Sequence, residues 1–154
     1  MILRTMACRV AILLGAASAA HADPVPATLP TGGQVVRGEA SLLESGGRLD
    51  VQQRSERAVI DWNSFSIGRD ATVSFSQPST DAVALNRVLS SDPSEIFGRL
   101  LANGQVFLSN PKGVLFGSDA RVDAGGLAAT TMQIGLDDFM AGRYRFTGGR
   151  GSVV

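Results

Sequence analysis

The sequence has very few of the side chains on which most enzyme and metal sites depend. Its 154 residues include one cysteine, Cys8, one histidine, His21, and one lysine, Lys112. Cys8 and His21 both fall within residues 1–22, so the chain that follows this segment has neither. This excludes a disulfide, a cysteine zinc site, a thiol nucleophile and a Ser-His-Asp triad from that part of the chain. Catalysis there would depend on carboxylates, hydroxyls or the amine of Lys112.

Long hydrophobic runs are also lacking, and the one apolar segment near the start has the features of a signal peptide. Arg4 and Arg9 are basic, the run Val10–Gly15 follows, and Ala20-His21-Ala22 offers small residues at the cleavage positions. The run is too short to span a membrane, and no later segment reaches about 18 apolar residues. We therefore expect residues 1–22 to be a Sec signal peptide of a bacterial exported protein.

Charge of either sign is not in large excess. The sequence has 14 basic and 14 acidic residues, and removal of Arg4 and Arg9 with the signal leaves a net charge near −2. This balance gives no reason to expect nucleic acid or an anionic membrane as a partner.

Short strand-like segments separated by turn residues fill the rest of the sequence. They carry β-branched or aromatic residues at a period close to two. The predicted strands are Arg48–Gln52, Ala58–Trp62, Thr72–Ser76, Ala82–Leu85, Gln105–Leu108, Gly113–Phe116 and Arg143–Phe146. Asn103-Gly104 is the main candidate for a two-residue hairpin. Capping residues predict short helical turns at Asp92–Glu95 and Asp137–Gly142.

Strands at this spacing fit a sandwich, a barrel or a solenoid in which each strand pairs with its copy one coil later. Glycine and asparagine corners need not reverse the chain, which favours a solenoid. Periodicity alone leaves the three folds open.

Several ordered motifs point to a particular family. They include long stretches with characteristic asparagine, proline and glycine positions: Ile60–Gly68, Val73–Pro78, Ala84–Val88, Asn103–Gly117, Gly125–Thr131 and Gly142–Phe146. Together they resemble the haemagglutination-activity domain at the N-terminus of two-partner-secretion (TPS) exoproteins of the filamentous haemagglutinin type. The resemblance covers residues 33–154. One departure is Lys112, where the family commonly has a second asparagine.

The resemblance implies an all-β fold, a right-handed parallel β-helix with short capping and extra-helical elements. Residues 33–154 would form this TPS domain and residues 23–32 a linker. Gly148–Val154 ends where family members continue into further coils, so we expect a chain truncated at its C-terminal end.

The resemblance also implies a function. The domain would be recognised by a cognate outer-membrane β-barrel transporter through its periplasmic POTRA domains, and would nucleate β-helix folding at the cell surface. The protein would be secreted through the periplasm as part of an adhesin and would bind host cells or glycans through its full-length form. We expect neither enzymatic activity nor a cofactor.

Two segments supply the candidate site residues. Asn86 and Arg87 lie in the first, and Asn110-Pro111-Lys112-Gly113 forms the second. These residues would either contact the transporter or satisfy backbone groups in turns. If the asparagine that Lys112 replaces normally closes the turn, its loss would weaken the local hydrogen bonding.

Two alternatives use other residues. A secreted β-helical carbohydrate-active enzyme would need clustered carboxylates, and the sequence does not assemble its acids into one site: Asp61, Asp70, Asp119, Asp123, Asp137 and Asp138. A directly glycan-binding adhesin could stack sugars on aromatic rings. Aromatic residues at strand spacing more often form a core, which is our expectation for Trp62, Phe65, Phe75, Phe107 and Phe116.

Overall fold

The computed structural model describes residues 23–154, and the signal peptide predicted for residues 1–22 lies outside them. The strands are β1 (Gln34–Arg37), β2 (Ala40–Ser45), β3 (Arg48–Gln53), β4 (Arg57–Trp62), β5 (Thr72–Ser76), β6 (Val83–Val88), β7 (Ser94–Ile96), β8 (Arg99–Ala102), β9 (Gln105–Ser109), β10 (Val114–Phe116), β11 (Arg121–Asp123), β12 (Gly126–Thr130), β13 (Gln133–Ile134) and β14 (Phe146–Thr147), with helix α1 (Leu136–Met140) between the last two.

Most strands pair in parallel with the strand one coil earlier in the chain. On the first flank β3, β5, β8 and β11 stack in that order, so that Arg48, Thr72, Arg99 and Arg121 are aligned. The second flank stacks β4, β6, β9 and β12, and the third pairs β7 with β10. The result is a β-solenoid of about four turns, which confirms the predicted parallel β-helix.

Alternation along the strands places apolar side chains inside the coils. Leu49, Val73 and Leu100 are buried one above the other on the first flank, and each such side chain contributes roughly 1.5–3 kcal/mol by leaving water. The predicted core aromatics are confirmed. Trp62, Phe65, Phe75 and Phe107 are buried, and Phe116 packs against the core while partly exposed.

Antiparallel strands cap the first coil. β2 pairs with β3 through a tight turn at Gly46 and Gly47, whose φ angles of 54° and 76° favour glycine. β1 pairs antiparallel with β4. The residues before β1 also pack on this coil: Leu29 is buried, and the Thr28 carbonyl accepts a hydrogen bond from the Gly68 N–H at 2.9 Å.

A small cover of β13, α1 and β14 packs on the outer face of the second flank. Phe139 of α1 is fully buried, in a second apolar cluster with Val59, Leu85 and Phe107. The Phe107 and Phe139 rings meet edge to face with centroids 6.3 Å apart. Helix α1 confirms the helical turn predicted at Asp137–Gly142.

Three local predictions were wrong. Ser94–Ile96 is strand β7, not part of a helical turn, because its backbone pairs with β10 and the Ser94 side chain is buried. Asn103-Gly104 is a corner between β8 and β9, which belong to different sheets, and makes no hairpin. Of the predicted strand Arg143–Phe146, only Phe146 is in a strand, with Thr147.

Candidate functional site

Asn86 lies inside the solenoid. In β6 it is aligned between Ile60 and Leu108, and its side chain is fully buried. Its Oδ1 accepts a hydrogen bond from the Trp62 indole Nε1–H at 2.9 Å, and its Nδ2 donates to the Phe107 carbonyl at 3.2 Å. The amide therefore joins three consecutive coils and satisfies an indole N–H that would otherwise be buried without a partner.

Arg87 points to the opposite face of the same strand. Its Nε and Nη2 donate to the two carboxylate oxygens of Asp61, each at 2.7 Å. The two residues are aligned across β4 and β6, and their side chains are 29% and 13% exposed. This bidentate pair ties the first coil to the second on the outer surface.

Asn110 closes the corner after β9. The fully buried side chain accepts a hydrogen bond from the Lys112 backbone N–H at 3.0 Å. Its Nδ2 lies 3.0 Å from both the Asp92 carbonyl and the Ser94 hydroxyl, so it also ties the corner to the preceding coil. The Asx-type closure comes from position 110, and Lys112 contributes to it only its backbone N–H.

The remaining residues of this corner differ in exposure. Pro111 is half-buried and the Lys112 side chain is exposed. Gly113 is buried with φ of 119°, and its carbonyl accepts a hydrogen bond from the Ser94 N–H at 3.0 Å. That backbone conformation is one that residues with a Cβ rarely adopt.

The strand register brings the two motifs to the same end of the second flank. Arg87 is aligned with Ser109, the residue immediately before Asn110. Asn86 and Asn110 thus lie on neighbouring coils, both buried, while Arg87 and Lys112 carry charge toward the surface. The folded arrangement offers hydrogen bonding that fixes the coils, and no nucleophile paired with a base.

A second polar cluster, at the corner between the first and second flanks, was missed by sequence reasoning. Gln77 donates from Nε2 to the Gln105 carbonyl at 3.0 Å and accepts at Oε1 from the Gly104 N–H at 2.9 Å. Asn103 makes paired bonds to the Gln77 backbone, and Gln53 lies one coil earlier. The sequence signal that could have revealed this cluster is an amide side chain, Gln or Asn, that recurs at the end of successive first-flank strands.

The carboxylates do not form a metal site among residues 23–154, where no group of three or more acidic, histidine or cysteine side chains is placed to hold a metal ion. Asp61 is engaged by Arg87, and Asp138 pairs with Arg143 at 2.9 Å. Within the same residues, no helix is long and apolar enough to cross a membrane.

Comparison with known proteins decides the family. The sequence model of the TPS secretion domain family matches residues 27–154 of this chain. The chain belongs to the TPS secretion domain family. A TPS secretion domain is the secretion module of a two-partner-secretion exoprotein, and such exoproteins reach the cell surface or the medium by that pathway.

Relatives with curated names support the same assignment. Two heme/hemopexin-binding proteins of Haemophilus influenzae are each 42% identical to this TPS domain, over 106 and 100 residues. These matches cover 69% and 65% of this chain, but only 12% and 11% of the relatives. The chain therefore spans about a tenth of the length of the curated relatives it matches.

A solved structure shares the fold. The crystal structure of the HMW1 secretion domain from Haemophilus influenzae superposes with a TM-score of 0.72 at 33% sequence identity. The match covers 76% of this chain and 31% of that one. The β-solenoid of this TPS domain is thus similar to an experimentally determined secretion domain.

Proposed function

We propose that this TPS domain directs a longer exoprotein to a cognate outer-membrane β-barrel transporter, whose periplasmic POTRA domains bind the chain before its coils close. The domain then nucleates the β-helix at the cell surface. Membership of the TPS secretion domain family supports the pathway, and parallel pairing of each strand with an earlier one supports progressive folding.

The burial of Asn86 and Asn110 carries this proposal. Both side chains are 0% exposed in the folded domain, so no partner can reach them there. Contact through either amide requires strands that are not yet stacked. An extended segment can be recognised by backbone pairing to a strand edge of the partner, with alternate side chains supplying selectivity. Arg87, Pro111, Lys112 and Gly113 would enter the same extended interface.

The decisive experiment separates recognition from stability. We would measure binding of the urea-unfolded chain, diluted rapidly, to the purified periplasmic domains of the transporter. Asn86→Ala and Asn110→Ala are compared with Leu100→Ala, a fully buried core residue outside both motifs. We expect the asparagine variants to bind at least about tenfold more weakly and Leu100→Ala to bind like the wild type.

Equal binding by all four chains would contradict recognition through the two asparagines and leave them a structural role. Secretion into the medium should depend on the transporter for the wild type. A chain secreted equally well without the transporter would contradict the proposed pathway.

We also propose that the exported form begins at Asp23, after removal of residues 1–22. Mass spectrometry of the periplasmic protein should show this N-terminus, and an intact Met1 would contradict it.

The longer exoprotein would act as a non-enzymatic adhesin toward host cells or their glycans. If deletion of the part beyond the TPS domain abolished cell binding but left secretion intact, this would support secretion by the TPS domain and adhesion by the rest of the exoprotein.

A further inference from the structure

A groove on the outside of the solenoid is lined by two cationic side chains that have no partner among the residues the structure describes. It has a volume of about 460 Å³ and lies between the Asn110–Gly113 corner, the start of β13 and the glycine-rich segment that follows β14. Its lining residues are Pro111, Lys112, Thr131, Gln133, Thr147, Gly148, Gly149 and Arg150. None of these side chains is acidic.

Several donors of the lining residues have no partner within the described part of the chain. Among residues 23–154, neither Lys112 Nζ nor the Arg150 guanidinium has a hydrogen-bond or ion-pair partner. In the same part of the chain, the backbone N–H groups of Gly148, Gly149 and Arg150 have no acceptor. The residues that carry these two cations and three consecutive N–H groups, together with Thr131 and Thr147, thus line one groove.

The backbone holds these donors in place. Gly148 and Gly149 have φ angles of 80° and 94°, which favour glycine. A Cβ on Gly149 would lie 2.8 Å from Thr131 Oγ1, and one on Gly151 would lie 2.7 Å from the Pro111 carbonyl oxygen. The glycine segment therefore approaches the corner more closely than other residues could. It is anchored further on, where the Val114 N–H donates to the Ser152 carbonyl at 2.9 Å.

From this arrangement we propose that the groove binds a phosphate-type oxyanion through Lys112, Arg150 and the N–H groups of Gly148–Arg150. A tetrahedral oxyanion offers several acceptor oxygens to converging donors, and guanidinium and ammonium groups both bind it by charge-assisted hydrogen bonds. Lys112, the departure from the family pattern, supplies one of the two charges. The site shares Lys112 with the proposed transporter interaction but exists only in the folded domain, whereas that interaction uses the chain before its coils close.

The test is titration of the purified chain with inorganic phosphate, glucose 6-phosphate and glucose, followed by amide NMR. We expect saturable shifts at Gly148, Gly149 and Arg150 with both phosphates and none with glucose. Lys112→Gln and Arg150→Gln should each weaken binding about tenfold, through loss of one charge-assisted contact. The matched control is Arg99→Gln, an exposed arginine on the first flank, which should bind like the wild type.

Tighter binding of glucose 6-phosphate than of phosphate would identify the ligand as an ester group on a larger molecule, and the reverse order would identify the free anion. No saturable binding would overturn the proposal. Binding that survives the Lys112→Gln, Arg150→Gln double variant, or that falls equally in Arg99→Gln, would overturn it as well.

Discussion

Single amide side chains fix the relative positions of the coils, and Asn86 is the clearest case. Its amide lies in an otherwise apolar interior and bonds to Trp62 and to the Phe107 carbonyl. A buried polar group costs stability unless it is paired. The indole N–H is therefore satisfied by the carboxamide oxygen, and the carboxamide NH2 by the Phe107 carbonyl.

We predict that Asn86→Ala lowers the free energy of unfolding by about 2–3 kcal/mol, because it leaves the buried Trp62 indole N–H without a partner and removes the side-chain bond to the Phe107 carbonyl. Urea denaturation followed by circular dichroism measures the change. The Trp62→Phe, Asn86→Leu double variant has no indole N–H left to orphan. Its loss of stability should therefore be smaller than the sum of the losses measured for Trp62→Phe alone and Asn86→Leu alone. Additive losses would show that the two side chains are not coupled.

The Asn110 corner permits an isosteric test. Asn110→Asp can still accept from the Lys112 N–H, but its carboxylate cannot donate to the Asp92 carbonyl. We predict a loss of about 2–3 kcal/mol at neutral pH, since one donor is lost and a charge is buried. Chemical denaturation measures it, with Ser91→Ala, an exposed position nearby, as the control. Wild-type stability of Asn110→Asp would mean that the amide donor contributes nothing.

At the scale of elements, the strands of the coils were predictable and the pairing of the short ones was not. The strands at Arg48–Gln53 and Thr72–Ser76 alternate between apolar and polar residues, which is visible in the sequence. Asp92–Glu95 resembles a capped helical turn, but parallel pairing with β10 and burial of Ser94 outweigh that local preference. Such pairing depends on residues a full coil away, which no local window includes.

Phe139 is the fully buried side chain of the cover formed by β13, α1 and β14, and this allows a prediction. Phe139→Ala should cost about 3–5 kcal/mol by opening a cavity against Phe107 and Leu85. Hydrogen exchange should accelerate in α1, β13 and β14, while the amides of β3, β5 and β8 stay protected. Equal acceleration in the coils would show that the cover and the solenoid unfold as one unit.

The candidate site was predictable in part at this scale. Sequence reasoning placed Asn86 and Asn110 in motifs and offered backbone satisfaction as one of their two roles. It did not reveal that both amides are buried, because burial depends on the coil above and the coil below. The amide cluster of Gln53, Gln77 and Asn103 was missed for the same reason, since its bonds join residues from successive coils.

At the scale of the whole molecule, apolar stacking inside the coils dominates over surface charge. The Arg48–Asp50 and Arg143–Asp138 ion pairs are exposed, and pairs of this kind contribute little and are screened by salt. We predict that raising NaCl from about 0.05 M to 0.5 M changes the free energy of unfolding by less than about 1 kcal/mol. A loss above about 2 kcal/mol would show that electrostatics contribute more than the structure indicates. Urea must be the denaturant here, because guanidinium chloride is itself a salt and would screen the charges.

The cover also has a consequence for errors in strand alignment. Phe139 packs against Val59, Leu85 and Phe107, which come from three successive coils and must all face outward for the cover to dock. A slip of β6 by one residue would turn Leu85 inward and place either the small Ala84 or the polar Asn86 beneath the Phe139 ring. The cover follows these strands in the chain, so it can dock only after they have stacked. A solenoid with misaligned strands would lack the apolar surface that the cover needs, and its outer face would stay exposed to water.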